Sequence, residues 1–263
     1  MLNRLSRPKA LALCALPVIA LLAITALAPL PFSVAQPGPT TNVLGTSDGK
    51  PVIEISGADT RDTSGKLRAV TILATGPDAS IHLSDVIDSW FRDDRAVMPR
   101  DAVYPAGDST KEIEKHNQDE MKGSQDAATE AALAYLGDAS KDVKVTLQLG
   151  DVGGPSAGLL FSLGIVDMLD GDGSGGDLTG GKSIAGTGTI DANGKVGAVG
   201  GVSMKVQAAD RDGATVFLVP KAECSDAKAS APKSMRLVPV TTLKGAVTAL
   251  TSMEKDSGSV PSC

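Results

Sequence analysis

Residues 143–168, VKVTLQLGDVGGPSAGLLFSLGIVDM, constrain the fold more tightly than any other stretch. Val143 to Leu149 alternate and carry β-branched side chains, the pattern of a strand. From Ala157 onward the run is apolar at helical spacing, with Leu160, Phe161, Gly164, Ile165 and Met168 on one face. Between strand and helix, Gly153, Gly154 and Pro155 turn the chain and bring Ser156 to the helix start. Backbone N–H groups and the positive end of the helix dipole stabilise negative charge there. A serine in that place is also a good N-cap. Two adjacent glycines exceed what a cap requires, so Ser156 is a candidate nucleophile, supported by Gly154 and Pro155.

The remaining pattern mixes strands and helices. KLRAVTILAT (66–75) reads as a strand, and HLSDVIDSWF (82–91) as a helix with Leu83, Val86, Ile87 and Trp90 on one face. A loop over 92–108 precedes a long helix over 110–136, polar at first and then alanine-rich. SIAGTGTID and KVGAVGG read as strands around a turn at Asn193-Gly194. A helix over 202–211, strands ATVFLVP and MRLVPV, and a closing helix TTLKGAVTALTSM follow. The elements interleave without strict βαβ regularity, which predicts an α+β domain over 66–253. Residues 36–65 are rich in Pro, Gly and Thr and read as a linker or irregular lead-in. The tail over 254–263 is polar and is expected to be loose unless Cys263 ties it down.

Residues 1–35 pair a basic flank (Arg4, Arg7, Lys9) with an uncharged apolar run from Ala10 to about Leu30. The run is long enough to cross a bilayer, and the flank predicts a cytoplasmic N-terminus with everything beyond it outside. A cleaved signal peptide ending near Ser33-Val34-Ala35 is the alternative, which would release a secreted protein. Either way the folded part is extracytoplasmic, a setting that favours disulfides. Beyond the apolar run the only cysteines are Cys224 and Cys263, enough for one bridge. The net charge of −6 and the lack of a long basic run argue against nucleic acid as a partner. The lipid bilayer is the partner expected for the N-terminal segment.

Several motifs tempt and fail. GDLTGGKS (176–183) matches the phosphate-binding pattern G-x-x-x-x-G-K-S, but a strand-like IAGTGTI follows where a helix is needed. Asp170, Asp172 and Asp177 would also repel a triphosphate. DGDGSGGDLTGG begins like a calcium loop, yet Gly181 occupies the twelfth position, where a bidentate glutamate belongs. No Cys/His cluster with metal-ligand spacing occurs, and no cofactor is expected. His82 and His116 lie in polar surroundings, and nothing local aims either at Ser156.

A serine without a histidine needs another base. Lysine serves only when neutral, which requires burial. On the 202–211 helix Lys205 falls with Val202, Val206 and Ala209 on the apolar stripe, whereas Lys182 and Lys195 lie in turns. Lys205 is therefore the best placed for burial, although most lysines beside such a stripe snorkel to water.

GGPSAG, TGTIDANGKVGAVGGVSMK and DGATVFLVP, in this order, resemble the proteolytic domain of Lon proteases. The resemblance implies that Ser156 is the nucleophile and Lys205, closing the G-G-x-x-x-K element, the general base. Thr187, opening the T-G-x-I strand, would help position the amine. The motif of Lon itself carries Asp where this chain has Gly153, and Lon carries an ATPase domain that this sequence does not show. Both departures, with the N-terminal apolar segment, resemble the membrane-anchored Lon-like proteases. Their usual PDZ domain is missing, since only GDASKD separates Leu136 from Val143. The function implied is ATP-independent serine endopeptidase activity on peptides or on unfolded and membrane-proximal proteins. A catalytically silent, membrane-anchored scaffold with the same fold is the alternative. Oligomeric state stays open, a homo-oligomer included.

Overall fold

The computed structural model describes residues 7–104, 109–137, 142–149, 153–255 and 258–263. In chain order it begins with α1 (Arg7–Leu27), β1 (Phe32–Asn42), β2 (Thr46–Ser47), β3 (Lys50–Pro51), β4 (Ile53–Ser56) and β5 (Lys66–Ala74). Next come α2 (Leu83–Trp90), β6 (Ala96–Pro99), α3 (Arg100–Val103), α4 (Thr110–Leu136), β7 (Lys144–Leu147) and α5 (Gly158–Leu169). The strands β8 (Ser183–Gly186), β9 (Thr189–Ile190) and β10 (Val196–Gly197) lead to α6 (Val202–Arg211) and β11 (Val216–Pro220). The chain closes with α7 (Cys224–Ser230), β12 (Arg236–Val240) and α8 (Leu243–Glu254). Helix and sheet are mixed, as the α+β expectation requires. Contacts divide the chain into two units, Pro37–Leu73 with Lys111–Cys263, and Met1–Gln36 with Ala74–Thr110.

The larger unit is built on a sheet in the order β12-β11-β8-β5, with the second half of β1 beside β5. β12, β11, β8 and β5 run parallel, in a register that sets Val216 against both Arg236 and Ile184. A parallel sheet needs cover on both faces. β11 meets that need with five buried residues in a row. Strand periodicity sends its side chains to opposite faces. Val216 and Leu218 enter a core made with α4, α5 and α8, whereas Phe217 and Val219 enter one made with α6 and α7. α5 is buried on every side and apolar but for Ser162 and Asp167, with Leu159, Leu160, Phe161, Leu163 and Ile165 fully buried. A helix of that composition has no stable place at a surface. Its position inside fixes where Ser156 sits.

The lead-in expected to be irregular is folded. The composition of 36–65 signals turns, but the burial comes from partners distant in sequence. β4 pairs antiparallel with β7, which lies about ninety residues further on, matching Ile53 to Leu147 and Ser56 to Lys144. Val43 and Val52 are fully buried in the same core as α5. Asn42 fastens the entry, its Oδ1 accepting the N–H of Leu67 at 3.0 Å. Residues 74–110 group with 1–36, and the larger unit begins at Pro37.

The end of the chain is tied down. Cys263 is bonded to Cys224 across a Cα separation of 5.4 Å. Its N–H reaches the carbonyl of Leu237 at 3.3 Å, and Val260 packs against the main core.

The acidic glycine loop after α5 closes on its own carboxylates. Asp172 Oδ1 accepts the N–H groups of Ser174 (2.8 Å) and Gly176 (2.7 Å), and Lys255 Nζ lies 3.0 Å from Oδ2. Arg61 donates to the carbonyls of Gly175 and Gly176 at 2.8 and 2.9 Å. The loop is thus held from both sides. β8 begins at Ser183, so a strand stands where the phosphate-binding pattern calls for a helix.

Asp167, near the end of α5, is 0% exposed, and its Oδ1 accepts the N–H of Leu178 at 2.7 Å. Among the described residues its Oδ2 has no hydrogen-bond partner. Burial raises this carboxyl to about 6; the Leu178 bond opposes the rise and the nearby Asp177 charge adds to it. The folded state therefore holds this proton more tightly than the unfolded chain. The associated stability is fully present below the unfolded pKa of about 4 and is lost as pH rises through about 6. About two pKa units correspond to about 3 kcal/mol. Urea unfolding at pH 4 and pH 7.5 should show this loss in the native chain and not in Asp167→Asn. Equal pH slopes in the two proteins would refute the assignment.

The smaller unit holds α1, α2, α3, β6 and the first half of β1. β1 and β6 pair antiparallel from Phe32 opposite Pro99 to Ala35 opposite Ala96. Tyr104 Oη donates to the carbonyl of Thr75 at 2.6 Å. β6 and α3 occupy much of the stretch expected to be a loop over 92–108, of which residues 105–108 lie outside the described ones. α1 has a mean hydropathy of 2.6 and the length of a candidate membrane span. Arg4 precedes it, outside the described residues.

Candidate active site

The approach to Ser156 is shaped by backbone geometry. Gly154 has φ +87° and ψ 157°, a region in which an L side chain is strained. Its N–H donates to the carbonyl of Asn117 on α4 at 3.2 Å. Gly153 is required by space, since a Cβ there would lie 2.7 Å from Asn117 Cβ. Pro155, Ser156 and Ala157 then form one 3-10 turn, whose carbonyl at Pro155 accepts the Ser124 hydroxyl at 2.9 Å. Pro155 suits the first position of such a turn, where its missing N–H costs nothing. Ser156 is partly buried, and α5 continues from Gly158.

The second half of the site comes from the segment after β8. Gly188 N–H donates to the carbonyl of Ser156 at 2.9 Å, and Leu159 N–H donates to the carbonyl of Gly188 at 3.1 Å. This reciprocal pair joins the start of α5 to the turn between β8 and β9. Thr187, 0% exposed, is fixed by its N–H on the carbonyl of Leu218 at 3.0 Å. Its hydroxyl donates to the carbonyl of Ser156 at 3.3 Å.

Lys205 completes the arrangement. It lies on α6, whose buried face includes Val202, Met204, Val206, Ala208 and Ala209, and is 4% exposed. The amine does not snorkel. Its Nζ donates to Thr187 Oγ1 at 3.1 Å. Burial lowers the amine from 10.5 to about 8, because the charged form loses its hydration. A threonine oxygen compensates far less than a carboxylate would. Gly201, at φ +69°, starts α6 with Ile72 packed directly against it, which sets the position of the helix.

The expected residues thus meet in a connected set. Lys205 bonds to Thr187, Thr187 to the backbone of Ser156, and Gly154 and Pro155 build the turn that carries Ser156. The other basic candidates lie elsewhere, Lys182 and Lys195 being exposed. His116 is exposed on α4, 3.5 Å from Glu120. His82 precedes α2 in the smaller unit, its N–H bonded to Asp85 at 2.8 Å. Sequence reasoning missed Ser124, Asn117 and Gly188, which hold the serine turn through backbone contacts. A polar Ser124 interrupting the alanine-rich face of α4 was the one available signal.

The larger unit is therefore a mixed α/β domain in which a serine at a helix start is linked, through one threonine hydroxyl, to a buried lysine. Residues 117–251 match the Lon protease (S16) C-terminal proteolytic domain, and the chain belongs to that family. The match runs from α4 to α8 and includes Ser156, Thr187 and Lys205. The Lon protease of Neorickettsia sennetsu is 33% identical over 115 residues, covering 41% of this chain. The aligned stretch covers 13% of that relative.

Proposed function

We propose that this chain is a serine endopeptidase in which Ser156 is the nucleophile, Lys205 the general base and Thr187 the group that positions the amine. The observation that carries the reading is the buried Lys205 amine on the Thr187 hydroxyl, itself bonded to the Ser156 carbonyl. Lysine in water is protonated at neutral pH, whereas at about 8 a useful fraction is free base. Neutral Lys205 takes the Ser156 hydroxyl proton as Oγ attacks the peptide carbonyl. Backbone N–H groups around the 155–157 turn stabilise the oxyanion. The ammonium then protonates the departing amine, leaving an acyl-enzyme that water hydrolyses with Lys205 again as base.

Cleavage proceeds without ATP on this reading, since the one G-x-x-x-x-G-K-S stretch runs into β8. α1 anchors the chain, and Arg7 and Lys9 at its head favour a cytoplasmic N-terminus with the proteolytic domain outside. Peptides and unfolded proteins are the substrates that fit, no folded partner being needed for the chemistry.

Purified protein incubated with an unfolded substrate, without nucleotide, should produce fragments. Ser156→Ala should abolish them, while His82→Ala and His116→Ala leave the rate nearly unchanged. Undiminished cleavage by folded Ser156→Ala would end the proposal.

A further inference from the structure

α2 carries its apolar stripe on the wrong side for a water-soluble helix. Leu83, Val86, Ile87 and Trp90 recur at the spacing of one helical face. In an ordinary surface helix that face packs inward. Here Leu83 and Ile87 are exposed, Trp90 is 82% and Phe91 83% exposed, while Ser89 is buried. Ser89 Oγ donates to the carbonyl of Asp85 at 2.7 Å, and Asp85 Oδ2 caps the helix by accepting the N–H of His82 at 2.8 Å. Four large apolar side chains thus face solvent. Such a cluster marks an interaction surface.

Its place in the smaller unit identifies the occupant. α1 ends at Leu27, and three residues later Leu30 forms a β-bridge with Ile81, Leu30 N–H donating to the Ile81 carbonyl at 2.7 Å. α2 starts two residues beyond that bridge and touches α1. Where α1 leaves a bilayer, α2 is therefore at the headgroup level. Tryptophan and phenylalanine flanking a short amphipathic helix suit that layer, which accepts an apolar ring and a polar N–H together. We infer that α2 docks on the lipid bilayer beside α1, burying Leu83, Ile87, Trp90 and Phe91 in the interface as a second membrane contact. The inference rests on reading α1 as a membrane span.

Charge plays little part in the docking. Residues 82–95 hold four aspartates and two arginines, and both arginines are paired, Arg92 with Asp94 at 2.9 Å and Arg95 with Asp88 at 2.8 Å. Apolar insertion, unlike attraction to anionic lipid, tolerates salt and neutral headgroups.

The chain carries its own two probes. Trp90 is its single tryptophan, and Cys14, within α1, is its one cysteine outside the Cys224–Cys263 bond. Full-length protein in phosphatidylcholine vesicles should show Cys14 shielded from a water-soluble maleimide. Trp90 emission should shift to the blue, lose its quenching by acrylamide and gain quenching by lipid brominated near the headgroup, at low and high salt alike. Ile87→Asp should reduce the docked fraction about tenfold or more, with Cys14 still shielded. Shielded Cys14 with water-exposed Trp90 overturns the docking alone, whereas reactive Cys14 overturns the membrane span and the docking with it. Trp90 shielding that depends on anionic lipid, or that grows with the protein-to-lipid ratio as contact between two copies would, also overturns it.

Discussion

Lys205→Arg should fold and cleave nothing. A positioned general base contributes about 10²–10⁴ in rate, and a guanidinium stays protonated at any working pH. In the native protein the rate should climb as pH rises through about 8, where the buried amine gives up its proton, and level off above it. Lys205→Met supplies a readout of a different kind. The folded pKa lies below the unfolded 10.5, so the associated stability is present above 10.5 and is lost as pH falls through about 8. At pH 7 the fold bears the full penalty of a buried charge, on the order of 3 kcal/mol. Methionine removes that charge at similar length. Lys205→Met should therefore be inactive and, at pH 7, more resistant to urea than the native protein. An inactive variant that is less stable would indicate a structural lysine. Robust cleavage by folded Lys205→Arg would exclude lysine as base. Thr187→Val should slow turnover without unfolding the domain, because it leaves the amine buried with no hydroxyl to hold it.

Opening the Cys224–Cys263 bond should give the largest single loss of stability. The two residues are 39 apart in sequence, and closing a loop of that length is worth about 4 kcal/mol in the chain-entropy account. Total stabilities of domains are about 5–15 kcal/mol, so the bond accounts for a large share. It also holds the last residues in place. Arg236 Nη2 donates to the carbonyl of Val260 at 3.2 Å, and Cys263 packs beside Ala227, Met235 and Leu237. Thermal unfolding with and without reductant, beside Cys263→Ser, should show matching drops in midpoint. Midpoints that do not move would mean that the bond adds nothing to the fold.

The serine turn and the lysine helix were legible because each is a local pattern. Gly153-Gly154-Pro155 signals a turn, the residues after it repeat at helical spacing, and Lys205 shares a helical stripe with Val202 and Val206. Asn193-Gly194 likewise marks the turn joining β9 to β10, which pair antiparallel with Ile190 opposite Val196. The lead-in was not legible, since Val43, Val52 and Ile53 gain their burial from α5 and β7, far along the chain. Composition describes a segment, whereas burial belongs to whatever it meets.

The amino-acid order by itself determined the alternation of strands and helices, the presence of a serine at a helix start, and the side of α6 that carries Lys205. Those follow from periodicity and turn chemistry within about ten residues. Only the tertiary structure decided that Lys205 stays buried rather than snorkelling, that Thr187 receives its amine, and that Asp167 is sealed in the core. It also decided that α2 turns Trp90 outward despite a regular apolar stripe. Hydration of a charge and burial of a ring depend on the neighbours that surround them, and the fold alone supplies those neighbours.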